Sequence, residues 1–173
     1  MKRKVLSTRF ITRTGLFLGL ALVFQIGLRQ LSQPIVGSLV NLVLIISAGL
    51  MGTFSGAVVG SFTPLIALLI GIMGFPPVVP FIIIGNFVYV FIFNILRRNL
   101  NIKGASITAV VGASLAKYLV LMISVKYVLA FFVPNVPPKI IAMFSLPQLY
   151  TALVGGVLAT IILRLLPKTL IKD

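Results

Sequence analysis

The chain contains no cysteine and no histidine, and its single acidic residue, Asp173, is the last of 173. These absences exclude most chemistry. Without cysteine there is no disulfide framework. Without histidine, cysteine or an internal carboxylate there is no ligand set for nickel, cobalt or zinc, so no metal site is expected. Paired carboxylates and Ser-His-Asp arrangements fall for the same reason. So do the intramembrane Asp, Glu or His relays of pumps and proton-coupled carriers. No glycine-rich loop ending in Lys-Ser or Lys-Thr occurs, so the chain has no phosphate cradle of its own for ATP. Neither enzymatic activity, nor a cofactor, nor self-powered transport is expected.

What is present is apolar. Sixty per cent of the residues are hydrophobic and 9% are charged, against about 45–50% and roughly 25% in a soluble domain. With a mean hydropathy of +1.21, the solvent is lipid. A net charge of +14 would suggest nucleic acid on a water-soluble fold with a basic face, but that fold does not suit this hydropathy, and no nucleic-acid partner is expected.

Six apolar segments divide the chain, at about 14–28, 35–51, 54–74, 78–96, 105–131 and 146–166. They predict an all-α integral membrane protein, a six-helix bundle formed by residues 1–173 as one membrane domain. Turn chemistry separates them: "RQLSQP", "GFPP", "RRNLNIKG" and "VPNVPP". Between the second and third lies only a glycine-rich corner, Gly49–Thr53, which predicts a tight hairpin.

The cations sort by side. With the N-terminus inside, Lys2, Arg3, Lys4, Arg9, Arg13, Arg97, Arg98, Lys103, Arg164, Lys168 and Lys172 are cytoplasmic. Arg29 and Lys139 lie in outer loops, and Lys117 and Lys126 inside the fifth segment. This positive-inside asymmetry predicts that both termini are cytoplasmic. The basic and then apolar N-terminus is like a secretory signal, but no small-x-small cleavage site follows, so the first segment is read as a span.

Gly52, Gly56 and Gly60 recur every fourth residue, with Pro64 four further on. Lipid supplies little hydrophobic drive between helices, and small residues at this spacing let backbones approach. The three glycines are expected to line a packing face of the third helix, and Pro64 to kink it. Gly155 and Gly156 in the sixth repeat the device, as do Gly15 and Gly19 in the first, where internal packing and docking of a second membrane protein both stay open.

Polar side chains within the spans converge toward the outer half: Asn41, Asn86, Lys126, Tyr127, Gln148 and Arg29. Asn94 falls nearer the cytoplasm. An intramembrane lysine costs about 2.5–3.5 kcal/mol at a helix centre and points to function. Lys126 lies shallow enough to snorkel to the headgroups. Lys117, near the midplane, is a ligand contact or has an internal hydrogen-bond role. Nine residues apart, the two point to opposite faces, so at most one faces a central pocket. Asn86 is either an interhelical hydrogen bond or a ligand contact. The alternating Phe87, Tyr89, Phe91 and Phe93 are expected to be mostly lipid-facing.

In order and spacing, "GTFSGAVVGSFTPLIALLIG", "IIIGNFVYVF", "SLAKYLVL" and "PQLYTALVGGVLA" resemble the third to sixth spans of the substrate-binding S components of energy-coupling factor (ECF) transporters, bacterial vitamin importers. The resemblance covers essentially the whole chain. It implies a multi-pass protein of the bacterial cell membrane, surrounded by lipid, that captures a vitamin. It also implies an energising module, a membrane T component with two cytoplasmic ATPases, and toppling of the S component during transport. Gly15 and Gly19 match the small-xxx-small pair with which the family's first helix docks on that module, with glycine where alanine is common. The family's pocket would involve "RQLSQP", Asn86, Lys126 and "PNVPPKIIAMFSLPQ", and so adds Lys139. Without a membrane carboxylate, a neutral or anionic vitamin suits better than a thiamine-like cation. The alternative is an accessory membrane protein that packs against a partner and binds no solute.

Overall fold

The computed structural model describes residues 7–100 and 104–167. Of the basic set, Lys2, Arg3, Lys4, Lys103, Lys168 and Lys172 lie outside the described residues. Among the described residues seven α-helices follow one another: α1 Thr8–Leu22, α2 Gln33–Met51, α3 Thr53–Leu69, α4 Val79–Asn99, α5 Ala105–Ile123, α6 Pro138–Met143 and α7 Leu146–Leu165. No strand occurs among the described residues. α1 continues into a π-helical turn, Val23–Gly27, and α5 into another, Ser124–Val128.

Proline marks where helices begin. It stands in the first turn of α2, α4, α6 and α7, where its missing N–H removes no intrahelical bond. Ser7 caps α1, its hydroxyl accepting the Phe10 N–H at 3.3 Å. The first helix therefore starts at Thr8 and carries Arg9 and Arg13 in its opening turns, ahead of the expected start at 14.

Among the described residues five helical stretches are long and apolar enough to cross a bilayer: Thr8–Gly27, Gln33–Met51, Pro76–Asn99, Ala105–Phe131 and Pro138–Leu165. The sixth, Thr53–Leu69, has 17 residues and is about 26 Å long, against a hydrocarbon core of about 30 Å. Its apolar run was expected to continue to residue 74. A Schellman motif ends it sooner: Gly71 takes φ +73, its N–H bonds to the Leu68 carbonyl, and the Ile72 N–H to that of Ala67, each at 3.0 Å.

The glycine ladder also needs one correction. Gly52 is not on the α3 packing face but forms the α2–α3 corner, with φ +94, and a Cβ there would touch nothing within 4 Å. It is required for backbone conformation, not for close approach. Gly56 and Gly60 do face neighbours: a Cβ on Gly56 would lie 2.9 Å from Ala48 Cβ, and one on Gly60 2.9 Å from Asn86 Cβ.

α2 packs most extensively against α7, and α4 against α5, with α3 across α2 and α4. The core comprises Val43, Leu44, Ile45, Val59, Tyr89, Phe93 and Val110 among others. Tyr89 and Phe93, four residues apart, share the inward face of α4, while Phe87 and Phe91 stack outside at 5.6 Å. The alternation expected to be mostly lipid-facing thus divides evenly, because a spacing of four keeps a helical face. α1 lies at the edge, on α2 and α3, burying only Phe10, Thr14 and Ala21. Its polar tie is Thr14 Oγ1 to Ser55 Oγ at 2.8 Å, which continues to Ser47 Oγ at 2.8 Å.

The glycines separate a closed contact from an open one. A Cβ on Gly155 would lie 2.8 Å from both Asn41 Cβ and the Leu42 backbone nitrogen, whereas one on Gly15 or Gly19 meets nothing within 4 Å. Gly155→Ala is expected to destabilise the detergent-solubilised protein by about 1–3 kcal/mol through overpacking, seen as a lower melting temperature. Gly15→Ala is expected to leave melting unchanged or raise it slightly. Equal melting of the two variants would contradict the α2–α7 packing.

Candidate binding cavity

The α1–α2, α3–α4 and α5–α7 connections meet at one end of the bundle around a cavity of about 700 Å³. That size is in the range of small-molecule sites. Each connection contributes wall: Gln25 and Arg29 after α1, Gly71–Phe75 after α3, and Lys139, Ile140, Met143 and Phe144 before α7. Inside the bundle the lining continues with Val36, Val40 and Asn41 of α2, Thr63 and Pro64 of α3, Ile82 and Asn86 of α4, Lys117 of α5, and Gln148 and Thr151 of α7.

Lys117, Asn41 and Asn86, 3–4% exposed, belong to a hydrogen-bonded network whose origin is Pro64. Lacking an N–H, Pro64 leaves the Gly60 carbonyl without its intrahelical donor. Asn86 Nδ2 of α4 donates to that oxygen at 2.8 Å, and glycine at position 60 lets α4 come close enough to do so. The same amide offers Oδ1 to Lys117 Nζ at 2.8 Å. Lys117 Nζ also donates to Asn41 Oδ1 at 2.6 Å. Asn41 Nδ2 then donates to Thr151 Oγ1 at 3.3 Å, and Thr151 Oγ1 to the Gln148 carbonyl at 3.2 Å. α3, α4, α5, α2 and α7 are thereby connected through one ammonium. Its surroundings fix both amides, since only Oδ1 can face a group that is donor alone.

The ammonium also lies 5.1 Å from the centroid of Tyr89, whose hydroxyl donates to the Ala152 carbonyl at 2.7 Å. Two of its three donors thus have side-chain oxygen acceptors, and both acceptors are neutral. Lys117 and Asn86 thus make the internal hydrogen bonds expected as one alternative, and both also line the cavity.

Of the residues singled out in the sequence, Arg29, Asn41, Asn86, Lys117, Lys139 and Gln148 line the cavity. Lys126 and Tyr127 do not. They are exposed on the π-helical turn after α5, the Lys126 ammonium 5.3 Å from the Tyr127 ring centroid. Nine residues carry Lys126 to the opposite face from Lys117, which removes both it and its neighbour from the pocket. Asn94 is remote as well, donating to the Ala48 carbonyl at 3.2 Å and Thr53 Oγ1 at 3.0 Å beside the α2–α3 corner.

Thr151, Thr63, Gln25 and the Gly71–Phe75 loop escaped the sequence reading. Thr151 was accessible, one turn from Gln148 on the same face. The loop was hidden by its own hydrophobicity. Gln25 lies in the π-helical turn, a form frequent at functional sites, and its Oε1 is buried without a hydrogen-bond partner among the described residues.

The proline-to-lysine connection predicts a specific coupling. Asn86→Ala leaves the Gly60 oxygen orphaned and is expected to cost about 1–3 kcal/mol of stability. In a Pro64→Ala background the restored amide N–H bonds that oxygen, and Asn86→Ala is expected to cost about 0.5–1.5 kcal/mol less. A double-mutant cycle in detergent measures the difference, and equal costs in both backgrounds would contradict the connection.

The family model of the ECF transporter substrate-specific component matches residues 9–167. The chain belongs to that family, one of transporter subunits rather than of enzymes. No curated protein and no solved structure matches it.

Proposed function

We propose that this substrate-specific component captures a neutral or anionic vitamin or related micronutrient in the cavity at the connection-rich end of the bundle. It then delivers the solute through an ATP-driven ECF module, a membrane T component with two cytoplasmic ATPases. The observation that carries this reading is the cavity itself: polar groups from six helices surround about 700 Å³ in a chain whose family binds substrate. The distribution of Lys and Arg supports six crossings with both termini cytoplasmic in a bacterial cell membrane, which opens the cavity outward.

Delivery needs a face for the module. The exposed Gly15 and Gly19 on α1, with no neighbour for an added Cβ, support docking there. Close backbone approach is what small residues at this spacing permit. An accessory packing protein would have no use for a polar cavity of this size.

A vitamin panel scanned by thermal unfolding of the purified protein tests capture. One compound is expected to raise the melting temperature saturably, by an amount following RT ln(1 + [L]/Kd). Uniform silence from a folded protein would contradict capture. Leucine at both Gly15 and Gly19 is expected to preserve that stabilisation while abolishing co-purification with the module, and unchanged co-purification would remove α1 from the interface.

A further inference from the structure

We infer that the captured solute is a small organic acid whose anionic group binds beside the Lys117 ammonium. This rests on reading the cavity as a capture site and specifies what that site recognises. Among the described residues the lining includes three cations, Arg29, Lys117 and Lys139, and no carboxylate. Arg29 and Lys139 are exposed on the connections, whereas Lys117 is buried. An approaching anion meets positive charge at the mouth and again in the interior, while a cation is repelled at both.

Lys117 has one feature that internal structure leaves incomplete. Asn41 and Asn86 satisfy two donors but carry no charge. The only acidic side chain in the sequence, Asp173, is its last residue. A carboxylate beside Nζ would accept the third N–H in a charge-assisted bond and neutralise the ammonium. The cavity is much larger than an inorganic anion requires, a water having a share of about 30 Å³ in the liquid. Val36, Ile82 and Phe144 supply apolar wall for a carbon skeleton. The site thus suits an acid with an organic body.

The test compares acids with uncharged counterparts on the wild-type full-length protein in a neutral detergent. The pairs are nicotinate and nicotinamide, biotin and biotinamide, and pantothenate and pantothenyl alcohol, with inorganic phosphate and phosphatidylglycerol as further probes. One acid is expected to raise the melting temperature saturably, with its uncharged counterpart about 10- to 100-fold weaker. In Lys117→Gln that preference is expected to fall toward unity. Equal potency of acid and counterpart overturns the inference and leaves capture standing, as does stabilisation by phosphate or phosphatidylglycerol alone. An undiminished preference in Lys117→Gln overturns the role of Lys117. No shift with any compound of either charge removes capture and this inference together. If Lys117→Gln does not fold, the wild-type pairs decide the matter.

Discussion

An ammonium placed between apolar helices must be surrounded by acceptors or be lost to the membrane surface, and much of this structure follows from meeting that demand at Lys117. The chain has no internal carboxylate with which to meet it, so two asparagines from different helices turn their oxygens inward. Each then needs a partner for its nitrogen. Asn41 finds Thr151, and Asn86 finds the carbonyl that Pro64 has released at Gly60. A proline that would only weaken an isolated helix thus supplies an acceptor at the one depth where α4 can use it. Because the lysine also borders the cavity, the demand that joins five helices places a charge within reach of a solute.

The rest of the packing distributes rigidity unevenly. The α2 backbone closes over Gly155 of α7, and the Asn86 side chain of α4 over Gly60 of α3, leaving no room for a methyl group at either. α1 is different. Its buried contacts are few, its polar tie is a hydroxyl cluster through Ser55, and its glycines face outward. A well-cemented group of helices thus carries the cavity, with a lightly attached helix at its edge, which is the division of labour that the proposed capture and docking roles would require.

Much of this was legible in the sequence. Hydropathy located the helices, and the rarity of polar residues in the spans singled out Lys117, Asn41 and Asn86, since a group that is expensive in lipid must have a partner or a purpose. What escaped was decided by geometry that hydropathy does not encode. The apolar stretch after Leu69 looks like more helix until Gly71 is recognised as a left-handed cap. Gly52 shares the four-residue spacing of Gly56 and Gly60 yet serves a corner. Lys126 resembles Lys117 in residue type but lies on the opposite face, in the exposed turn after α5, outside the cavity. The carbonyl at Gly60 is invisible to any residue-type argument, although Pro64 four residues later announces it.

Native mass spectrometry of the protein taken gently from its own membranes tests the central claim, that the cavity above Lys117 is a solute site. The account predicts one small-molecule adduct of defined mass per chain, absent when Val40→Trp fills the lining from α2 in a protein that still folds. An adduct that survives Val40→Trp unchanged, or a wild-type chain that never carries one when its solute is supplied in the growth medium, would contradict it.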